Sequence, residues 1–471
     1  MSLDLRRDPF DCFYMPAMHR GLSYLPPRPG WVIRPVPSAR VGLHAASDHE
    51  PILEIQQGRV AVQQERMLQS VMEVNACPVV LERVEFAEAA AAIDGRYLLN
   101  GAAGDRLRTR YEVQNGSPRA QERLGLALRH ARFGGPFQPP VWRGDSRQLP
   151  IALELRNGFN YYHFTYETLA ALAHFADDDS GQPVTLHLRN SVPSPFMTGF
   201  VAALFPGLAP RLRFDAATVA YPAVRSVYNH RHYLYQVQDA RVESMAAQAL
   251  APDWAQPGAD YIARRAVLQG SFDSSQRLLR DRALRALPRR LVASMPRLIW
   301  MGRAEDGGAR QRELTGAGPL LEDLRGRGFE TVFFEHLAPL EQIAAMQAAD
   351  VVIAPHGAGL ANMLYARSDT LVIEIGNSQT QLYRWGDFLA GAHAARCGYE
   401  TVFCDLPEVD VPGTPPTVRQ GMLGTHVGRR ATEIILALVD RALQRRARRV
   451  ERGGAEQGGA PQPEGSSPRS S

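Results

Sequence analysis

The chain has 471 residues, 45% hydrophobic and 22% charged. That ordinary globular balance excludes collagen-like, coiled-coil and wholly disordered architectures. Its 53 basic residues against 49 acidic ones leave a formal net charge of +4, too even for a dedicated nucleic-acid binder.

At roughly 100–200 residues per domain, this length predicts two or three domains. Every basic residue counted above is arginine, so a phosphate held by a fixed side-chain charge would meet a guanidinium fork. No stretch approaches the ~20 consecutive apolar residues of a membrane span. The opening MSLDLRRDPFDCFY has no apolar run after its arginines, and the reading is a cytoplasmic protein without a cleaved leader. Cys12, Cys77, Cys397 and Cys404 make no CxxC pair, which predicts free thiols and no zinc site.

In chain order, residues 1–145 mix proline punctuation (Pro26, Pro27, Pro29, Pro35, Pro37) with short apolar runs. They are expected to form a mixed α/β extension packed on a first lobe. That lobe, residues 146–290, has predicted strands at 151–155 and 184–188 between helical stretches at 160–175 and 194–204. The alternation indicates a parallel sheet with crossover helices. After an arginine-rich helical link, residues 291–452 repeat the pattern. Strands are predicted at 298–301, 331–334, 351–354, 371–375 and 399–404, and helices at 319–327, 339–348, 359–366 and 381–395. Continuously apolar strands of this kind belong to sheets covered on both faces. The fold class is therefore α/β with two Rossmann-like halves. Ile435, Val439 and Leu443 give a final helix an apolar face, and the tail at 453–471 has nothing to bury and is predicted disordered.

The segment Val351-Val352-Ile353-Ala354-Pro355-His356-Gly357-Ala358-Gly359-Leu360-Ala361-Asn362 runs from an apolar strand through a glycine turn into a helix. Such a turn lets backbone approach a ligand closely and presents free N–H groups, which suits a phosphate. A purely structural strand-to-helix turn with a satisfied histidine is the competing reading. Asn160 is placed to cap a helix whose first turn holds His163, with Glu167 four residues on over the same face. His163 is the candidate general base or acceptor-positioning group, against the alternative of a packed histidine.

The stretch APHGAGLANMLYARSDTLVIEI resembles the signature of glycosyltransferase family 61. Asn160-Tyr161-Tyr162-His163-Phe164-Thr165-Tyr166-Glu167 is similar to that family's "NYYHwl-E" element, and Leu298-Ile299-Trp300-Met301-Gly302-Arg303 resembles its strand ending in "sR". GFETVFFEHLAPLEQIAAMQAAD also resembles the stretch before the signature, so the similarity spans roughly residues 157–375. It implies two facing Rossmann-like domains of the GT-B type. It also implies inverting transfer of a sugar from a nucleotide-sugar, commonly UDP-linked, with no metal or other cofactor.

The acceptor would be a glycan or a lipid-linked acceptor in cell-surface polysaccharide or lipopolysaccharide synthesis. The donor would be held by Arg303, by Arg310 or Arg312, and by His356, Gly357, Ala358, Gly359, Leu360 and Asn362. Glu374 is expected on ribose hydroxyls or as a structural carboxylate, and His163 with Glu167 would be catalytic. A non-catalytic nucleotide- or glycan-binding protein on the same scaffold is the alternative. Asp177-Asp178-Asp179 matches the DxD pattern of metal-dependent glycosyltransferases, but it follows a helix and precedes Ser180-Gly181, as a solvated acidic turn does. Arg441, Arg445, Arg446, Arg448 and Arg449 offer peripheral contact with anionic lipid, or simply a solvated face.

Overall fold

A computed structural model describes residues 3–16, 18–26, 33–65, 67, 69–116, 119–134, 139–157, 160–189, 192–232, 269–304, 313–407, 415–418 and 421–457. It is a mixed α/β structure with two principal sheets. One has six parallel strands in the order Glu330–Phe333, Leu298–Gly302, Val351–Pro355, Leu371–Asn377, Gly398–Cys404 and Arg40–Ala45. Its central strands are buried along nearly their whole length, as continuous apolar runs require when helices cover both faces. The exposed Glu330–Phe333 and the half-buried Arg40–Ala45 close its edges.

The other sheet has nine strands and is only half Rossmann-like. Ile151–Leu155, Val184–Leu188 and Leu212–Asp215 run parallel, and the end of Val219–Asn229 joins them through Arg225 opposite Ile151. Beyond it runs an antiparallel meander through Ala76–Ala87, Ala90–Ile93 and Arg96–Leu98, with Leu22–Tyr24 added antiparallel to the first of these and Phe13–Tyr14 parallel to the last. Its tight turns put Glu88 and Ala89 (φ 49° and 57°) and Asp94 and Gly95 (φ 47° and 74°) in the left-handed region, which matches hairpin turns to strand twist. The expected extension on the first lobe is thus shared between both sheets, because Arg40–Ala45 pairs with Gly398–Cys404.

The predicted 160–175 helix is one helical run of mixed winding: Tyr161–His163, a π segment at Phe164–Leu169, then Ala170–Leu172 and Ala173–Phe175. The 381–395 helix is instead two, Ser378–Tyr383 and Leu389–Ala395. Gly386, at φ 91°, lies in the break. The last helix, Arg429–Gln457, packs Ile435 and Val439 into the core as expected; residues 458–471 lie outside the described residues.

One apolar cluster joins the sheets. It runs from Ile151, Leu153 and Val184 through Phe164 and Leu169 to Leu360, Met363, Val352 and Val372. Each buried side chain of this size contributes about 1.5–3 kcal/mol. The helical segments at the seam are those that carry the two sequence motifs.

Candidate active site

Both sheets reverse their strand order. From Leu298–Gly302 the chain moves to one side, to Glu330–Phe333, and then returns to the other, to Val351–Pro355. The reversal opens a crevice at the carboxyl ends of those strands, where Arg303 and His356 follow. In the nine-stranded sheet Ile151–Leu155 lies between Val184–Leu188 and Val219–Asn229, with Arg156 and Asn229 at the equivalent ends. Open α/β sheets bind ligands at such switch points. A cavity of about 1100 Å³ is lined from both, by Arg156, Asn229, His163 and Glu167 on one wall and Arg303 and His356 on the other.

On the second wall, Arg303 Nη2 donates to the carbonyl of His356 at 2.5 Å. A Cβ on Gly357 would come within 2.3 Å of that nitrogen, so the glycine makes room for the guanidinium. Burial lowers the Arg303 pKa, opposed by nearby Glu335, and the group stays cationic at neutral pH. Ala358, Gly359 and Asn362 also line the cavity. The helix that opens there, Ala358–Tyr365, is a 3₁₀ helix. Leu360 is 1% exposed, packs in the shared core and is not among the residues that line the cavity. Of the two readings of Glu374, its contacts favour the structural carboxylate. Its Oε1 meets His356 Nδ1, and its Oε2 accepts from the Tyr399 hydroxyl and, at 3.3 Å, from Thr401 Oγ1. A carboxylate 3% exposed and spent on these partners acts from behind His356. Arg310 and Arg312 lie outside the described residues.

On the first wall, Asn160 Oδ1 accepts from the backbone of Tyr162 at 3.0 Å and of His163 at 3.4 Å, the expected cap. His163 Nδ1 lies 2.5 Å from Glu167 Oε1. Arg106, absent from the sequence reading, grips Glu167 through Nη1 to Oε2 at 3.1 Å and Nη2 to Oε1 at 2.9 Å. Burial raises the Glu167 pKa, but Arg106 and His163 outweigh it and bring it down to about 2. His163 Nδ1 also lies 2.7 Å from Arg106 Nη2, which can only donate. A ring proton on Nδ1 would point at the Glu167 carboxylate and leave the Nε2 lone pair open, whereas an Nδ1 that accepts from Arg106 would carry its proton on Nε2. The π segment that carries Glu167 is a winding often found at functional sites.

The two motifs meet. Tyr161 OH donates to Asn362 Oδ1 at 2.8 Å, and Asn362 Nδ2 donates on to the Gly359 carbonyl at 3.1 Å. Tyr162 OH reaches the Asp387 carbonyl at 2.7 Å, and Phe388 stands edge-on to both Tyr162 and His356.

Asp177-Asp178-Asp179 is not simply a solvated turn. Asp177 pairs with Arg282 and Asp179 with Arg147. Asp178 is half-buried, against Arg225 at 2.5 Å and Arg211 at 2.8 Å. Despite partial burial, these arginines and Ser180 bring its pKa down to about 2. No group of three metal-ligating side chains occurs among the described residues.

Arg106 could not be seen in the sequence because its partner is 61 positions away. Arg156 had a signal, its place just past a predicted strand. No curated protein matches this chain. Residues 161–373 match the family model Glycosyltransferase 61, and over that span, which holds both motifs, the chain resembles glycosyltransferase family 61, a likeness that supports glycosyltransferase activity in general.

Proposed function

We propose that the protein is an inverting, metal-independent glycosyltransferase with two facing lobes of the GT-B type. It moves a sugar from a nucleotide-sugar, UDP-linked, to a hydroxyl of a glycan or lipid-linked acceptor in cell-surface polysaccharide synthesis. One observation carries the reading: Arg303, a cation whose bond is to a backbone carbonyl, stands at a switch point and faces the wall that holds His163. A half-desolvated guanidinium whose nearest carboxylate, Glu335, forms no ion pair with it favours an anion.

The donor diphosphate lies along Arg303 and the first N–H groups of the Ala358–Tyr365 helix. A second cavity of about 480 Å³, lined by Trp300, Asn377 and Thr425, adjoins the first across Arg303 and His356 and takes the nucleoside. The acceptor hydroxyl faces His163 Nε2. As its oxygen bonds to the anomeric carbon, its proton passes to Nε2 and the C–O bond to the diphosphate breaks, leaving charge on a phosphate oxygen. Arg303 stabilises that charge. Glu167, held ionised by Arg106, stabilises the imidazolium.

No described helix is long and apolar enough to cross a membrane. Peripheral contact with anionic lipid through Arg441, Arg445 and Arg448, exposed on the last helix, belongs to this proposal; Arg446 is engaged by Asp350.

The test is release of UDP from a panel of UDP-sugars in EDTA. Wild type turns over at least one slowly with water as acceptor. His163→Ala is slower by about 10²–10⁴-fold yet remains stabilised by UDP. UDP binding without turnover in any condition supports the non-catalytic alternative.

A further inference from the structure

Five arginines line the main cavity among the described residues: Arg106, Arg156, Arg231, Arg303 and Arg384. Three have carboxylate partners, Arg106 with Glu167 at 2.9 Å, Arg384 with Asp387 at 2.9 Å and Arg231 with Asp105 at 3.8 Å. Arg303 and Arg156 form no ion pair among the described residues. Each is held by a backbone carbonyl, Arg303 by that of His356 and Arg156 by that of Ala103, at 2.7 Å from Nη1. They occupy matching places, each just past a central strand at the switch point of its sheet.

The charges around Arg156 are otherwise engaged. Arg106 and Glu167 hold each other, and Arg110 is taken by Glu88 at 3.1 Å. The remaining neighbour, Glu154, accepts from the Ala91 backbone at 2.8 Å. Burial raises its pKa despite that bond, and among the described residues it forms no ion pair with Arg156. Burial also lowers Arg156 itself, to about 10, and it remains cationic at neutral pH. A cation held in a cavity wall without a paired counter-charge is destabilising unless a ligand brings one.

We propose that Arg156 is the anion site for the acceptor. The acceptor is an acidic glycan that presents an oxyanion, a sugar carboxylate or a phosphate ester, to the Arg156 fork while its nucleophilic hydroxyl faces His163. This rests on the assignment of Arg303 to the donor and adds the charge class of the acceptor. A fork whose one hydrogen bond among the described residues is from Nη1 to the Ala103 carbonyl suits a two-oxygen anion.

Ligand-observed NMR titrations with methyl glucuronide, glucose 6-phosphate and methyl glucoside test this, with and without saturating UDP. At least one anionic probe should bind about 10- to 100-fold more tightly than the neutral glucoside, and the tighter of the two names the source. Arg156→Ala removes the preference and leaves UDP binding in place. Arg156→Lys keeps the charge but loses the fork, and lowers the preference without abolishing it; it also serves should the alanine variant not fold. Equal binding of charged and neutral probes to wild type overturns the proposal. So does loss of UDP binding in Arg156→Ala, which would put both arginines on the donor. Failure of wild type to bind UDP is a separate result that contradicts the donor assignment, and the probe preference measured without UDP still decides the role of Arg156.

Discussion

The cavity is flanked by two histidine–glutamate pairs built from the same residue types for different work. In His163–Glu167 the side chains are 25% and 17% exposed, and the carboxylate is clamped by Arg106. In His356–Glu374 they are 6% and 4% exposed, and the carboxylate is capped by the Tyr399 and Thr401 hydroxyls. A guanidinium fixes a full negative charge behind a histidine that still reaches the cavity, which suits proton transfer. Hydroxyls satisfy a sealed carboxylate without adding charge, which suits holding a turn in place. The difference lies in the partners rather than in the pairs.

That contrast can be broken at several points. The largest effect is expected from Arg106→Met, which leaves Glu167 buried without its guanidinium. About 3–5 kcal/mol of stability should be lost, measured by urea unfolding. The pH dependence sharpens this. In the folded protein Glu167 stays ionised down to about pH 2, against an ordinary glutamate value of 4.5. The folded state therefore binds fewer protons in that window. The stabilisation is complete above about pH 4.5 and is lost as pH falls toward 2. In Arg106→Met the acid limb of the unfolding curve should move to higher pH, and an unchanged limb would break the account of the first pair. A smaller loss, about 1–3 kcal/mol, is expected from Glu374→Gln. An amide still accepts from Tyr399 or Thr401 but cannot satisfy His356 and both hydroxyls as a carboxylate does. If its acid limb shifted as far as that of Arg106→Met, the two pairs would not differ as described.

Much of the six-stranded sheet was legible, because its central strands are covered on both faces and so read as unbroken apolar runs, as at Val351 and Leu371. The order of the two motifs was also legible, but not that Tyr161 would touch Asn362, 201 positions away. The N-terminal contributions were not. Arg40–Ala45 is a half-buried edge strand without a clean alternation, and the helix Gly101–Asn115, which delivers Arg106, opens on small residues with little amphipathic pattern. Glu374 was visible as a carboxylate in an apolar strand. Its neighbours Tyr399 and Thr401, from the adjoining strand, could not be seen there, and they favour the structural alternative behind a histidine. Asp178 was misjudged for the same reason, since Arg211 and Arg225 are distant in sequence.

The central claim, that Arg303 at the switch point of the six-stranded sheet holds a nucleoside diphosphate, is tested most directly by calorimetric titration of UDP into wild type and Arg303→Ala in EDTA. Saturable one-site binding to wild type, weaker by about 10- to 100-fold in the variant, is the predicted result. Equal affinity in the two proteins, or no binding to wild type, would contradict it.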